Sequence, residues 1–193
     1  MSFFDTIKKD KFVVVDDFLH KLHAEDMEKA IFDPNFPLYY MKDSIHEGLK
    51  FETDKIIRSP QFVHLLSGGG EIFSQHFDMM VGAFINQLET CFEFANTPQP
   101  TRCKINLKLP VPNATEDHYD APHVDNDKEH IAVIYYVNDT DGDTFIFDDD
   151  HNIIGRVHPR KNRILAIDGS VIHAGGFPIQ HTERCVVNYN FTR

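Results

Sequence analysis

The spacing of hydrophobic residues changes once along this chain, near Pro98. Before it, two stretches follow a helical rhythm. The segment His23-Ala-Glu-Asp-Met-Glu-Lys-Ala-Ile-Phe32 predicts a helix stopped by Asp33-Pro34, since proline lacks the N–H that would continue it. Over 71–94, Ile72, Phe73, Phe77, Met80, Val81, Phe84, Ile85 and Leu88 recur at helical spacing and predict the longest helix. Ser67-Gly-Gly-Gly70 reads as the loop leading into it; without a following Lys-Ser/Thr it is a weak phosphate-loop signal. Residues 11–19 read instead as a strand, with the β-branched run Val13-Val-Val15 ending in a polar turn.

After Pro98 the pattern becomes short β-type runs at 102–109, 131–137, 144–148, 153–157, 163–167, 171–174 and 184–191. Asn138-Asp-Thr-Asp-Gly-Asp143 and Asp168-Gly169 supply turn chemistry between them. Helices followed by closely spaced strands predict a mainly β fold with flanking α: a double-stranded β-helix, or cupin-like jelly roll, with helices packed on one face. The expected division is helical support over about 1–97 and a jelly-roll core over about 98–193, within a single domain spanning 1–193.

Composition narrows the function. An apolar fraction of 41% and 17 Phe fit a chain that can bury a full core. The net charge of −11 argues against a nucleic-acid partner, because phosphate contacts call for a basic surface. No apolar run approaches the ~20 residues of a membrane span, and charges near the N-terminus stand where a signal peptide needs apolar residues. Cys91, Cys103 and Cys185 are odd in number and lack CxxC spacing, which points to a reduced, cytoplasmic compartment without a disulfide framework.

The chemistry lies among the histidines. In a strand, residues i and i+2 point the same way, so His-x-Asp can deliver two metal ligands to one cavity. Three such motifs occur. His76-Phe-Asp78 falls inside the predicted helix, where residues two apart diverge by roughly 200°. His118-Tyr-Asp120 follows the polar run Asn113-Ala-Thr-Glu-Asp117 and is read as solvated or near the barrel mouth. His123-Val-Asp125 leads into the strongly β-forming Ile131-Ala-Val-Ile-Tyr-Tyr-Val137 and is the favoured pair. A third ligand is expected from a distant strand, and His173, after the turn Asp168-Gly-Ser170, is the candidate. Eleven residues on, Arg184 opens a strand whose alternation places Arg184, Val186, Asn188 and Asn190 on one face and Cys185, Val187, Tyr189 and Phe191 on the other. An arginine there suits a buried carboxylate pocket, because its fork grips both oxygens.

In this order, His123-Val-Asp125-Asn126, Ile134-Tyr-Tyr-Val-Asn138, Gly142-Asp-Thr-Phe-Ile-Phe147, His173 and Arg184 resemble the 2-oxoglutarate/Fe(II)-dependent dioxygenase superfamily, prolyl-4-hydroxylase-like branch. The resemblance covers about residues 102–192. It implies Fe(II) held by His123, Asp125 and His173, and 2-oxoglutarate as cosubstrate with its distal carboxylate on Arg184 and Tyr136. Alternation alone does not choose between Tyr135 and Tyr136. Asn188 and Asn106 are implied as further cosubstrate contacts, although the family often has a Tyr on the strand of Asn106. The family's Gly-Gly-x-Thr segment stands here as Asp141-Gly-Asp-Thr144. The implied reaction consumes O2 and hydroxylates a prolyl, other peptidyl or amino-acid C–H, releasing succinate and CO2. The implied partners are therefore O2 and a peptide or small molecule. Alternatives are a cupin-like metal protein of another class and a nucleic-acid demethylase on the same fold. The 110–120 loop and the 36–50 segment are candidate substrate lids, and Asp148-Asp-Asp150 reads as a solvated turn.

Overall fold

The computed structural model describes residues 3–42, 53–92 and 99–192. The order of elements begins with α1 (Phe3–Asp10), β1 (Phe12–Val15), α2 (Lys21–Ile31), β2 (Tyr39–Met41), β3 (Gln61–Gly68) and β4 (Glu71–Ile72). A π-helical turn (Asp78–Gly82) then runs into α3 (Ala83–Phe92). The remainder is β: β5 (Arg102–Lys108), β6 (His130–Tyr136), β7 (Thr144–Phe147), β8 (Ile153–Val157), β9 (Arg163–Asp168), β10 (His173–Gly175) and β11 (Arg184–Thr192).

The strands form two sheets. The larger runs β1-β9-β6-β11-β5-β3-β2, with β4 paired to β3; the smaller runs β10-β7-β8. All pairings between these strands are antiparallel. This is the jelly roll that the strand spacing predicts.

Alternation in β5, β6, β9 and β11 feeds two apolar layers. Cys103, Ile105, Leu107, Val133, Tyr135, Ile164, Ala166, Val187, Tyr189 and Phe191 join Met27 and Ile31 of α2 and Phe84 and Leu88 of α3 in one core. Phe84 stacks on Tyr189 at 3.8 Å between centroids, a geometry worth about 0.5–1.5 kcal/mol beyond area burial. On the opposite face Ile134, Tyr136, Leu165, Ile167 and Val186 meet Ile146 and Val157 of the smaller sheet. Every residue of β6 is therefore buried. The helices cover one face of the large sheet, and the barrel interior lies on the other.

The N-terminal half corrects several expectations. The helix expected over 71–94 begins later, because Gly69 (φ 62°) and Gly70 (φ 86°) form the two-residue turn of a β3–β4 hairpin, paired Ser67↔Ile72 and Gly68↔Glu71. Two successive positive φ values match the strand twist and favour Gly-Gly. His76 thus precedes the helix rather than lying in it, with its ring 4.8 Å from Phe36. Strands β2 and β3 and helix α1 were not anticipated. Residues 93 and 94 of the expected helix, and 43–50 of the candidate 36–50 lid, lie outside the described residues.

Candidate metal centre

The site is built on a cross-strand pair. His123 and His173 face each other in an antiparallel bridge, each N–H donating to the other's carbonyl at 3.0 Å. Directly opposed residues project to the same side of a sheet, so both imidazoles enter one cavity, with centroids 4.9 Å apart. Asp125, two residues beyond His123, turns its carboxylate in the same direction. Its Oδ1 lies 3.7 Å from His123 Nε2 and its Oδ2 4.0 Å from His173 Nε2. One donor atom from each of the three residues lies within 4.8 Å of the others, a spacing that fits a single ion.

The protonation pattern suits metal binding. His123 Nδ1 lies 3.1 Å from the Ala121 carbonyl, and His173 Nδ1 lies 3.2 Å from that of Val171. A carbonyl only accepts, so each Nδ1 carries the proton and each Nε2 keeps its lone pair for the cavity. Burial, with the charge of His173 beside it, lowers the His123 pKa to about 4, so its imidazole is neutral at neutral pH. Burial alone would raise the Asp125 carboxyl, but His173, His123, Arg102 and His130 together hold it below the usual range. Asp125 Oδ2 is buried without a hydrogen-bond partner. A buried carboxylate oxygen left unpaired beside two Nε2 lone pairs is a strong demand for a cation.

A second cluster sits where β5, β6 and β11 align. The register sets Arg184 opposite Lys108, and Val186 between Asn106 and Tyr136. Tyr136 belongs to the interior layer, whereas Tyr135 points into the helix-side core. Arg184 is buried; its Nε donates to the Gly142 carbonyl at 2.7 Å and its Nη2 to Thr144 Oγ1 at 2.9 Å. Tyr136 Oη meets the same Thr144 hydroxyl at 2.7 Å, and the guanidinium carbon lies 5.8 Å from the Tyr136 ring centroid. Among the described residues no carboxylate pairs with Arg184. Asn106 and Asn188 share this interior face, and the Oδ1 of each is buried without a partner.

Sequence reasoning missed Lys108. Its buried Nζ pairs with Asp120 at 2.9 Å and donates to the Gly175 carbonyl at 3.1 Å. The missed signal was the alternation Arg102, Lys104, Asn106, Lys108 opposite the noted face of β11. The pairing also corrects, for Asp120 alone, the solvated alternative in the reading of His118-Tyr-Asp120 as solvated or near the barrel mouth. Asp120 is buried in its ion pair, while the His118 ring accepts from Thr115 N at 2.9 Å in an exposed turn. Tyr119, between them, is pinned by backbone bonds to Lys55 and Ile57. Asp148 closes a tight turn by accepting from Asn152 N at 2.8 Å.

No family model matches the sequence, and no curated protein matches it either. Solved structures do match in fold. A 2OG-Fe(II) oxygenase family oxidoreductase from Burkholderia pseudomallei superposes with a TM-score of 0.69 at 12% identity, over 97% of this chain and 88% of that one. A prolyl hydroxylase from Trichoplax adhaerens, in complex with a hypoxia inducible factor oxygen degradation domain peptide fragment, gives 0.66 at 13%, over 97% and 86%. A Pseudomonas putida prolyl-4-hydroxylase gives 0.61 at 17%, over 98% and 96%. The chain has the fold of these enzymes across nearly its whole length.

Proposed function

We propose that residues 1–193 act as one oxygenase domain that uses Fe(II), 2-oxoglutarate and O2 to hydroxylate a prolyl, other peptidyl or amino-acid C–H. One observation carries this reading. The barrel interior presents a His-Asp-His set with two free Nε2 lone pairs and an unpaired carboxylate oxygen, and a buried arginine that has no carboxylate partner among the described residues. Two histidines and one carboxylate on one face are the donor set of non-haem Fe(II) oxygenases, which leaves further positions open. In this reading His123, Asp125 and His173 hold the iron. Arg184 and Tyr136 take the distal carboxylate of 2-oxoglutarate, with Asn106 and Asn188 lining its path.

When bound, iron and 2-oxoglutarate supply O2 activation and oxidative decarboxylation to succinate and CO2, coupled to C–H hydroxylation. The protein's own share is positioning. The Ala121 and Val171 carbonyls fix the imidazole tautomers, and Thr144 braces Arg184 and Tyr136 together. The apolar interior layer of Ile134, Leu165 and Val186 keeps water from the cosubstrate. A peptide substrate draws support from the fold shared with the Trichoplax enzyme, which was solved with a peptide.

The test is Fe(II) binding together with succinate release. His123→Ala and His173→Ala should abolish iron binding and leave the fold intact, whereas His76→Ala and His118→Ala should bind iron as the wild type does. Anaerobic addition of Fe(II) and 2-oxoglutarate together should produce a weak visible absorption band. Normal iron affinity in His123→Ala, with loss in His118→Ala, would move the site to the other motif.

A further inference from the structure

Two cations on the interior face of β5 are not used by the iron and cosubstrate assignments. Along that strand Arg102, Lys104, Asn106 and Lys108 alternate with Cys103, Ile105 and Leu107, which fill the helix-side core. Lys108 is neutralised by Asp120, and Asn106 lies beside Val186, which separates it from Tyr136. Arg102 and Lys104 stand at the other end of the ladder, paired in register with Asn190 and Asn188. Both lie close enough to Asp125 to act on it electrostatically, yet among the described residues neither makes an ion pair or a side-chain hydrogen bond. Lys104 is partly buried, so it is not an ordinary solvated surface lysine.

Length separates the two ends. Arg184 is opposite Lys108 and Asn190 is opposite Arg102, so six residue steps, roughly 20 Å, lie between Arg184 and the Arg102 end. A five-carbon diacid is about as long as two strand residues, roughly 7 Å, and cannot engage Arg184 and Arg102 together. Charge points the same way. Take iron as dipositive, 2-oxoglutarate as dianionic, Asp125 and Asp120 as anions, and Arg184, Lys108, Lys104 and Arg102 as cations. The loaded cavity is then net positive, inside a chain whose overall charge is −11. Near it Asn188 Oδ1, Asn190 Oδ1 and His130 Nε2 are buried without hydrogen-bond partners.

We infer that Arg102 and Lys104 form an anion subsite beside the metal, which selects a primary substrate by a carboxylate group on it. This rests on the oxygenase reading and adds the substrate's chemistry to it. A carboxylate there meets one planar fork and one point charge, and the buried Asn190 Oδ1 can take an N–H donor on the same molecule. Free amino acids and the free C-terminus of a short peptide both offer that group.

The experiment measures binding to protein loaded with Zn(II) and 2-oxoglutarate. The probes are the standard L-amino acids and a set of proline-containing tripeptides, each as free acid and as carboxamide. At least one free acid should bind tenfold or more tighter than its carboxamide, and Lys104→Met and Arg102→Gln should each erase that difference. Amino acids alone binding would identify a small-molecule substrate, and tripeptides alone a peptide terminus. Unchanged 2-oxoglutarate affinity in Lys104→Met keeps the subsite separate from the cosubstrate pocket. Three results each overturn the inference: equal binding of acids and amides, no binding by any probe at millimolar concentration, or a loss of 2-oxoglutarate affinity in Lys104→Met. Substrate-free turnover of 2-oxoglutarate by the Fe(II) protein tests the oxygenase reading separately. If turnover is present without acid selectivity, only the subsite falls; if selectivity is present without turnover, the subsite stands alone.

Discussion

Arg184 and Lys108 face each other across one rung of the sheet, yet they should respond to mutation in different ways. Arg184 is buried without an anionic partner among the described residues, and its hydrogen bonds go to a carbonyl and a hydroxyl. Removing one side of a buried charge pair typically costs about 3–5 kcal/mol, so Arg184→Ala should weaken 2-oxoglutarate by at least ~100-fold. Arg184→Lys, which keeps the charge but not the fork, should fall between the two. Tyr136→Phe should cost about 1.5–3 kcal/mol, the range for a hydrogen bond to a charged group. Iron binding should survive all three, and anaerobic titration of the Fe(II) protein with 2-oxoglutarate reads each value. Wild-type affinity in Arg184→Ala would remove the cosubstrate assignment. Lys108 already has its partner, so the prediction there concerns stability. Asp120→Asn strands a buried ammonium and should destabilise the fold by about 3–5 kcal/mol, while Lys108→Met combined with Asp120→Asn should recover much of the loss. A double variant no more stable than Asp120→Asn in urea denaturation would show that the pair is not what holds this region.

Among the elements, the turn before β7 couples the fold to the cosubstrate pocket. Gly142 has φ +93°, and a Cβ there would stand 2.7 Å from the Phe177 carbonyl carbon. Its own carbonyl accepts the Arg184 Nε, and Thr144, two residues on, braces Arg184 and Tyr136. Gly142→Ala should therefore destabilise the protein by more than about 1 kcal/mol and weaken 2-oxoglutarate while leaving iron affinity near wild type. Equal losses of iron and cosubstrate affinity would mean that the turn acts on the whole barrel. This turn also shows what the sequence could reveal. Its Gly-Asp-Thr was legible as turn chemistry, and the jelly-roll strands stood out because each is short, β-branched and bounded by turn residues. The pair His123 and His173 was legible for a similar reason, since one preceded a strong strand and the other followed an Asp-Gly turn. The β3–β4 hairpin was not, because Ile72, Phe73 and Phe77 mimic a helical face and only the two positive-φ glycines break it. Alternation could not separate Tyr136 from Tyr135, a choice that rested on the family resemblance, whereas the structure puts one on each side of the sheet. Lys108 was overlooked because its buried partner, Asp120, comes from a loop that looks solvated in sequence.

Over the whole molecule, a net charge of −11 surrounds a metal-binding face whose His123 and Asp125 both take up protons less readily than usual. Among the described residues no helix is long and apolar enough to cross a membrane. Burial and the neighbouring His173 depress the His123 pKa from 6.5 to about 4. Above 6.5 neither the folded nor the unfolded chain protonates this imidazole, and its titration adds no slope. Between 6.5 and about 4 the unfolded chain binds the proton and the folded chain does not, so acidification favours unfolding. Asp125, also held below its usual value, extends the same trend to lower pH, because its proton too is taken up more readily by the unfolded chain. Metal-free protein in chelator should thus lose stability progressively as pH falls from 6.5 towards 4, and His123→Gln should flatten that decline. Urea midpoints at closely spaced pH values for both proteins provide the comparison, and the difference between them isolates His123 from the other 11 histidines of the 12. Parallel curves for the two proteins would show that this imidazole titrates normally in the fold, and would undercut the picture of a dry, neutral ligand waiting for its metal.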